Sequence, residues 1–166
     1  MSILLPDPSR SATLSPCGTY RYSLTRRWAA SGPIDCWICL NPSTADAERN
    51  DPSLTKMCGF SRRWGAAGLV LVNAFALRAT NPADMLAAAN PVGPDNDAAI
   101  LEAVKGARHV ILGWGCHGKH RRRDAAVLDL LAGVVPKALL VNKDGTPGHP
   151  LYISGNATPK PFGGAK

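Results

Sequence analysis

The chain lacks most of the features that would announce its chemistry. No apolar stretch in its 166 residues approaches the roughly 20 needed to span a bilayer. The start, Met1-Ser2-Ile3-Leu4-Leu5-Pro6, has no charged region and too short an apolar run for a signal peptide. The five cysteines, Cys17, Cys36, Cys39, Cys58 and Cys116, are odd in number and irregularly spaced, which argues against a disulfide framework. A reduced, cytoplasmic location is therefore expected. There is no G-x-G-x-x-G, no Walker loop and no G-x-S-x-G elbow, and no cofactor is expected. Acidic residues are scarce: 12 against 19 Lys and Arg, a net charge of +7. That balance suits a nucleic acid or nucleotide partner, and equally a solvated basic surface with no ligand.

Two sulfur patterns invite a metal. Cys36-Trp37-Ile38-Cys39 has C-x-x-C spacing, but on a strand residues three apart face opposite sides. Cys116-His117-Gly118-Lys119-His120 could offer three ligands, yet no second pair with zinc spacing exists elsewhere. No metal site is expected.

What is present is an ordinary globular balance, 45% apolar and 19% charged, with no repeat or linker, which fits one domain. Residues 1–18, rich in Ser and Pro, read as an N-terminal arm or loop. The domain is expected over 19–154, and 155–166 reads as a flexible tail. Thr19–Trp28 reads as a short strand, an edge strand with exposed arginines or a nucleic-acid surface. Ile34–Leu40, Gly68–Asn73, Arg108–Gly115 and Lys137–Asn142 are apolar runs of buried-strand type. Between them, Asp51-Pro52 and Asn81-Pro82 read as caps with proline at the first helical position. Asp95 or Asn96 caps a third helix, and a fourth is expected from His120 to Leu131. Four strands alternating with helices predict a three-layer α/β/α sandwich around a central, mainly parallel four-stranded sheet.

Parallel strands would bring their carboxyl ends to one rim, where α/β proteins bind ligands. That rim would collect Asn41, Pro42 and Ser43 after the first strand, and Asn73 and Phe75 after the second. Trp114 follows the third strand, and His149 and Tyr152 the fourth. Amides can read hydrogen-bonding edges and aromatic rings can stack, which suits a planar polar ligand. Each has an ordinary alternative: Asn41 as a turn residue, Ser43 as a cap, Trp114 as core. Lys119, Arg121, Arg122 and Arg123 begin the fourth helix, where basic residues oppose the helix dipole. Phosphate binding would explain them, as would a solvated helix start.

The ordered series Leu40-Asn41-Pro42-Ser43-Thr44-Ala45, Asp51-Pro52, Asn73–Thr80, Asn96-Asp97, Trp114-Gly115 and His149-Pro150-Leu151-Tyr152 resembles a bacterial and phage family of unknown function. The usual signature of that family reads LNPSTA, DP, NLFA-R-T, ND, WG and HPLY. Ala74 stands where the family usually has Leu. More distantly, Asn41-Pro42-Ser43 and His149-Pro150-Leu151 are similar to the first-strand and late-loop motifs of the uracil-DNA glycosylase superfamily, in its mismatch-specific kind.

That resemblance implies a uracil-DNA-glycosylase-like fold and hydrolysis of an N-glycosidic bond to a base in DNA or a nucleotide. Asn41 would position water and His149 would stabilise the leaving base. Phe75 or Trp114 would stack the base, and Asn73 would read its edge. The first motif lacks the expected aspartate, and Asp46 is the nearest substitute. A non-catalytic nucleic-acid or nucleotide binding module and a small-metabolite hydrolase remain the other readings.

Overall fold

In a computed structural model that describes residues 9–163, the chain forms one seven-stranded sheet flanked by helices on both faces. The strands are β1 (Arg10–Leu14), β2 (Arg21–Arg27), β3 (Ile34–Cys39), β4 (Gly68–Asn73), β5 (Val110–Gly113), β6 (Lys137–Ala138) and β7 (Lys160–Pro161). Their order across the sheet is β1-β2-β4-β3-β5-β6-β7. The pairs β3–β4, β3–β5 and β5–β6 are parallel, while β1–β2, β2–β4 and β6–β7 are antiparallel. The protein is thus a mixed α/β protein whose sheet has seven strands rather than four.

The extra strands come from segments without apolar runs. β1 lies inside the stretch read as an arm, and residues 1–8 of that stretch lie outside the described residues. β7 lies inside the stretch read as a tail. β2 is not an edge strand: it is paired on both sides, and Arg21 and Arg26 are buried rather than exposed. β6 is shorter than its apolar run. Beyond Ala138 the chain leaves the sheet, with Leu140 and Val141 exposed.

Alternation along β3 builds two cores. Cys36, Ile38 and Leu40 face one side with Val72, Met85, Ile100, Leu112 and Val127. Trp37 and Cys39 face the other with Leu54, Met57, Phe60 and Ile111. The two cysteines therefore point apart, as strand geometry requires. Helix α1 (Pro52–Arg63) covers the second face. Helices α2 (Pro82–Ala87), α3 (Asn96–Val104) and α4 (Arg123–Leu130) contribute to the first.

The proline caps form as read from sequence. Asp51 accepts from the Leu54 N–H at 2.8 Å and Asn81 from the Ala83 N–H at 3.0 Å. Asp95 makes no side-chain cap bond. The fourth helix differs most from expectation. Cys116–Arg122 is a 3₁₀ segment with a kink, and Arg121 and Arg122 both adopt positive φ, 54° and 56°. Only at Arg123 does α4 begin.

Candidate functional site

The carboxyl ends of β3, β4 and β5 open into a cavity of about 540 Å³, within the roughly 300–1,000 Å³ span of ligand pockets. Of the residues expected at the rim, Asn41, Ser43, Asn73, Trp114, His149 and Tyr152 line it. Pro42 and Phe75 do not. Pro42 is buried in the turn, and its carbonyl accepts from the Ala79 N–H at 2.9 Å. Phe75 is fully buried in the core, beside His120 at 5.9 Å.

The cavity holds together because loops bond to the strand ends. The N–H groups of Ala74 and Phe75 donate to the carbonyls of Cys39 and Leu40 at 2.8 and 2.9 Å, tying the ends of β3 and β4. Gly113 lets the late loop close in: a Cβ there would meet Pro150 Cδ at 2.9 Å and the Gly148 carbonyl oxygen at 3.6 Å. The Gly115 N–H donates to the Pro147 carbonyl at 2.9 Å, and Lys56 Nζ donates to the Leu151 carbonyl at 3.1 Å.

Asn41 is anchored through one end of its amide. Its Nδ2 donates to the carbonyls of Pro42 (3.0 Å), Ala79 (2.9 Å) and Leu77 (3.5 Å). Its Oδ1 is left as the acceptor available to a ligand. His149 is fixed in one tautomer. Its Nδ1 accepts from the Leu151 N–H at 3.2 Å, so in the neutral ring the proton sits on Nε2. Burial pushes its pKa below the ordinary value, against the opposing pull of Asp51. At neutral pH His149 is therefore an uncharged N–H donor. Tyr152 stands at the mouth, 84% exposed, with its ring 5.8 Å from the imidazole. Trp114 is buried against Gly118, where a Cβ would come within 2.1 Å of indole Cδ1.

Two charged residues missed in the sequence line the same cavity: Asp51 and Arg21. Asp51 was read only as a helix cap, and it is one. Capping uses Oδ1 alone, which leaves the second carboxylate oxygen for the pocket. Asp46, the substitute suggested by sequence proximity, is instead spent on an Asx turn, accepting from the N–H groups of Glu48 and Arg49 at 2.8 and 2.7 Å. Those bonds hold its carboxyl below the usual range, and it does not line the cavity.

Arg21 is 2% exposed. Because β2 runs antiparallel to β4, its first residue lies beside the carboxyl end of β4, a placement that needed the direction of β2 to foresee. Its Nη1 donates to the Ala45 carbonyl at 2.6 Å and its Nη2 reaches Asn73 Oδ1 at 3.5 Å. Its Nε has no partner among the described residues. Burial lowers its pKa to about 10, with the Asp51 charge opposing.

The basic cluster lies outside the cavity, and Lys119, Arg121 and Arg123 are bonded within the fold. Arg121 donates to the carbonyls of Ala89 and Ala88 at 2.8 and 2.9 Å, closing the end of α2. Arg123 is buried, bonded to the Ala74 carbonyl and paired with Asp97 at 2.7 Å. Lys119 donates to the Asp144 carbonyl at 2.6 Å. None of the four cluster residues lines the cavity, and Arg122 alone among them has no such internal bond among the described residues. More widely, Arg10, Arg26, Arg27, Arg78 and Arg108 also donate to backbone carbonyls. Much of the positive charge that suggested nucleic acid is thus engaged in tying loops together.

Fold and cavity define an α/β protein with a cavity at the carboxyl edge of its parallel strands. Residues 21–151 match the family described as "Protein of unknown function (DUF1643)", and the chain belongs to that family. No curated protein and no solved structure matches the chain. Among the described residues no helix is long and apolar enough to cross a membrane.

Proposed function

We propose that the protein hydrolyses the N-glycosidic bond of a nucleotide or of a base in DNA, on a three-layer fold of uracil-DNA-glycosylase type. The observation that carries this reading is that Asn41, His149 and Asp51 line one cavity of base-and-sugar size. The Asn41 Oδ1 accepts a hydrogen bond from a water and aims it at the sugar C1′. The free oxygen of Asp51 takes a proton from that water as its oxygen bonds to C1′. The C1′–N bond breaks, and its electron pair leaves with the base. Neutral His149 donates a hydrogen bond from Nε2 to the departing base. Being uncharged, it stabilises the developing negative charge and does not surrender its proton. The base then takes up a proton from solvent. Trp114 supplies the apolar wall for the ring, and Asn73 its polar edge.

The test is base release, followed chromatographically on nucleotides. On duplexes carrying uracil, thymine mismatches, hypoxanthine or modified bases it is followed by alkaline strand scission. Release of a free base that Asp51→Asn slows about 10²-fold or more is the expected result. Ligand binding without release from any substrate would instead favour a binding module.

A further inference from the structure

We infer that the Arg21 wall of the cavity is an anion subsite, and that the ligand it takes is the terminal phosphate of a nucleoside monophosphate. This rests on the glycosidic reading for the nucleoside half; the phosphate half is read from Arg21 itself. The contrast with Arg108 is direct. Arg108 presents its Nε and Nη2 to the Asp35 carboxylate at 3.1 Å each, a two-point fork on one oxyanion. Arg21 lines the cavity with its own fork unfilled: Nε is buried and unpartnered among the described residues, and Nη2 makes only its 3.5 Å contact to Asn73. No carboxylate lies within ion-pair distance of Arg21 among the described residues. Asp51, the acid whose charge it feels, lines the same cavity and caps α1 through Oδ1 but makes no ion pair with it.

A buried cation without a counter-ion is costly, and an anion entering the cavity relieves that cost. A compact oxyanion suits the edge, and Ser43, Ser53 and Thr80 line the same space with hydroxyl donors. Arg21 is covered by the protein on all other sides. An anion that reaches it sits at a dead end, which admits a phosphate monoester and not a phosphodiester whose chain must leave in both directions. The engagement of Arg10, Arg26, Arg27, Arg78, Arg108, Arg121 and Arg123 with backbone carbonyls points the same way, toward a small ligand instead of a polymer track.

The test uses the full-length protein and compares the four deoxynucleosides, their 5′-monophosphates, inorganic phosphate and a short single-stranded oligonucleotide by calorimetric titration. The best monophosphate is expected to bind about tenfold or more tighter than its nucleoside, as charge-assisted hydrogen bonds do. Inorganic phosphate is expected to compete with it. Arg21→Met should remove that ratio and Arg21→Lys should keep part of it. Equal binding of nucleoside and monophosphate, tighter binding of the oligonucleotide, or no binding of any probe overturns the subsite. The wild-type ratio needs no variant to fold. Base release is read on the same samples. A monophosphate preference without release from these samples or from the modified duplexes supports the subsite and sinks the hydrolase. Release with no such preference sinks the subsite and leaves the hydrolase.

Discussion

The two ends of β3 are built from the same parts and finished differently. At its start, Asp35 is fully buried and its carboxylate is gripped by Arg108, which also donates to the Trp64 carbonyl at 2.9 Å. At its finish, Asn41 and the start of β2 bring amides and a guanidinium together with no acid paired to it. The closed end is satisfied and leaves nothing for a ligand to do. The open end keeps unspent hydrogen-bonding capacity around a cavity. Buried charge alone therefore does not distinguish the two ends; buried charge without an ion-pair partner, beside a cavity, does.

That contrast can be broken from either end. The largest effect is expected at the open end. Asp51→Asn keeps a side-chain oxygen for the α1 cap but removes the proposed base, and should slow base release about 10²-fold or more with little change in melting temperature. At the closed end, Arg108→Met leaves Asp35 buried and unpaired. It should cost about 3 kcal/mol in chemical denaturation while the monophosphate preference persists. A Asp35→Leu/Arg108→Met double variant should be less destabilised than Arg108→Met alone, because no buried charge remains. A smaller stability loss, about 1 kcal/mol, is expected for Gly113→Ala, whose methyl forces Pro150 aside. Its main consequence should be weaker ligand binding, since His149 moves with that loop.

The smallest effect is the pH dependence contributed by His149. Burial lowers its pKa beneath 6.5, so the folded state binds fewer protons than the unfolded chain. Its contribution is fully present above about pH 6.5 and is lost as the pH falls through the lower, folded value. Thermal melts from pH 8 to pH 5 should show wild type losing stability more steeply than His149→Gln. Parallel curves would mean that the ring is already solvated and that the neutral-donor role fails.

Apolar runs and proline caps made the β3, β4 and β5 segments and the start of α1 legible, because both signals are local. β1 and β7 were not legible as sheet members, and β2 was legible only as an edge strand, not as one paired on both sides. Their sequences alternate weakly, and their pairing depends on partners far along the chain. The same limit governed the site. Asn41, Asn73 and Trp114 could be placed at strand ends and His149 in the late loop from pattern alone, but Phe75, two residues beyond Asn73, went to the core. Arg121 and Arg123 looked like parts of a phosphate clamp because charge can be counted in a sequence and carbonyl partners cannot. Asp51 hid behind its capping role, since a carboxylate has two oxygens and sequence assigns only one of them.

By itself the sequence determined the α/β alternation, the turn after the first long strand and the residue types gathered at the rim. These follow from period, proline and capping chemistry, which act over a few residues. Only the tertiary structure decided which charges are spent and which are not. Arg21 and Arg108 are the same residue type in similar basic surroundings. The antiparallel run of β2 set one beside a cavity, and the start of β3 gave the other an acid. Electrostatic completion is a property of neighbours in space, and no local pattern encodes it.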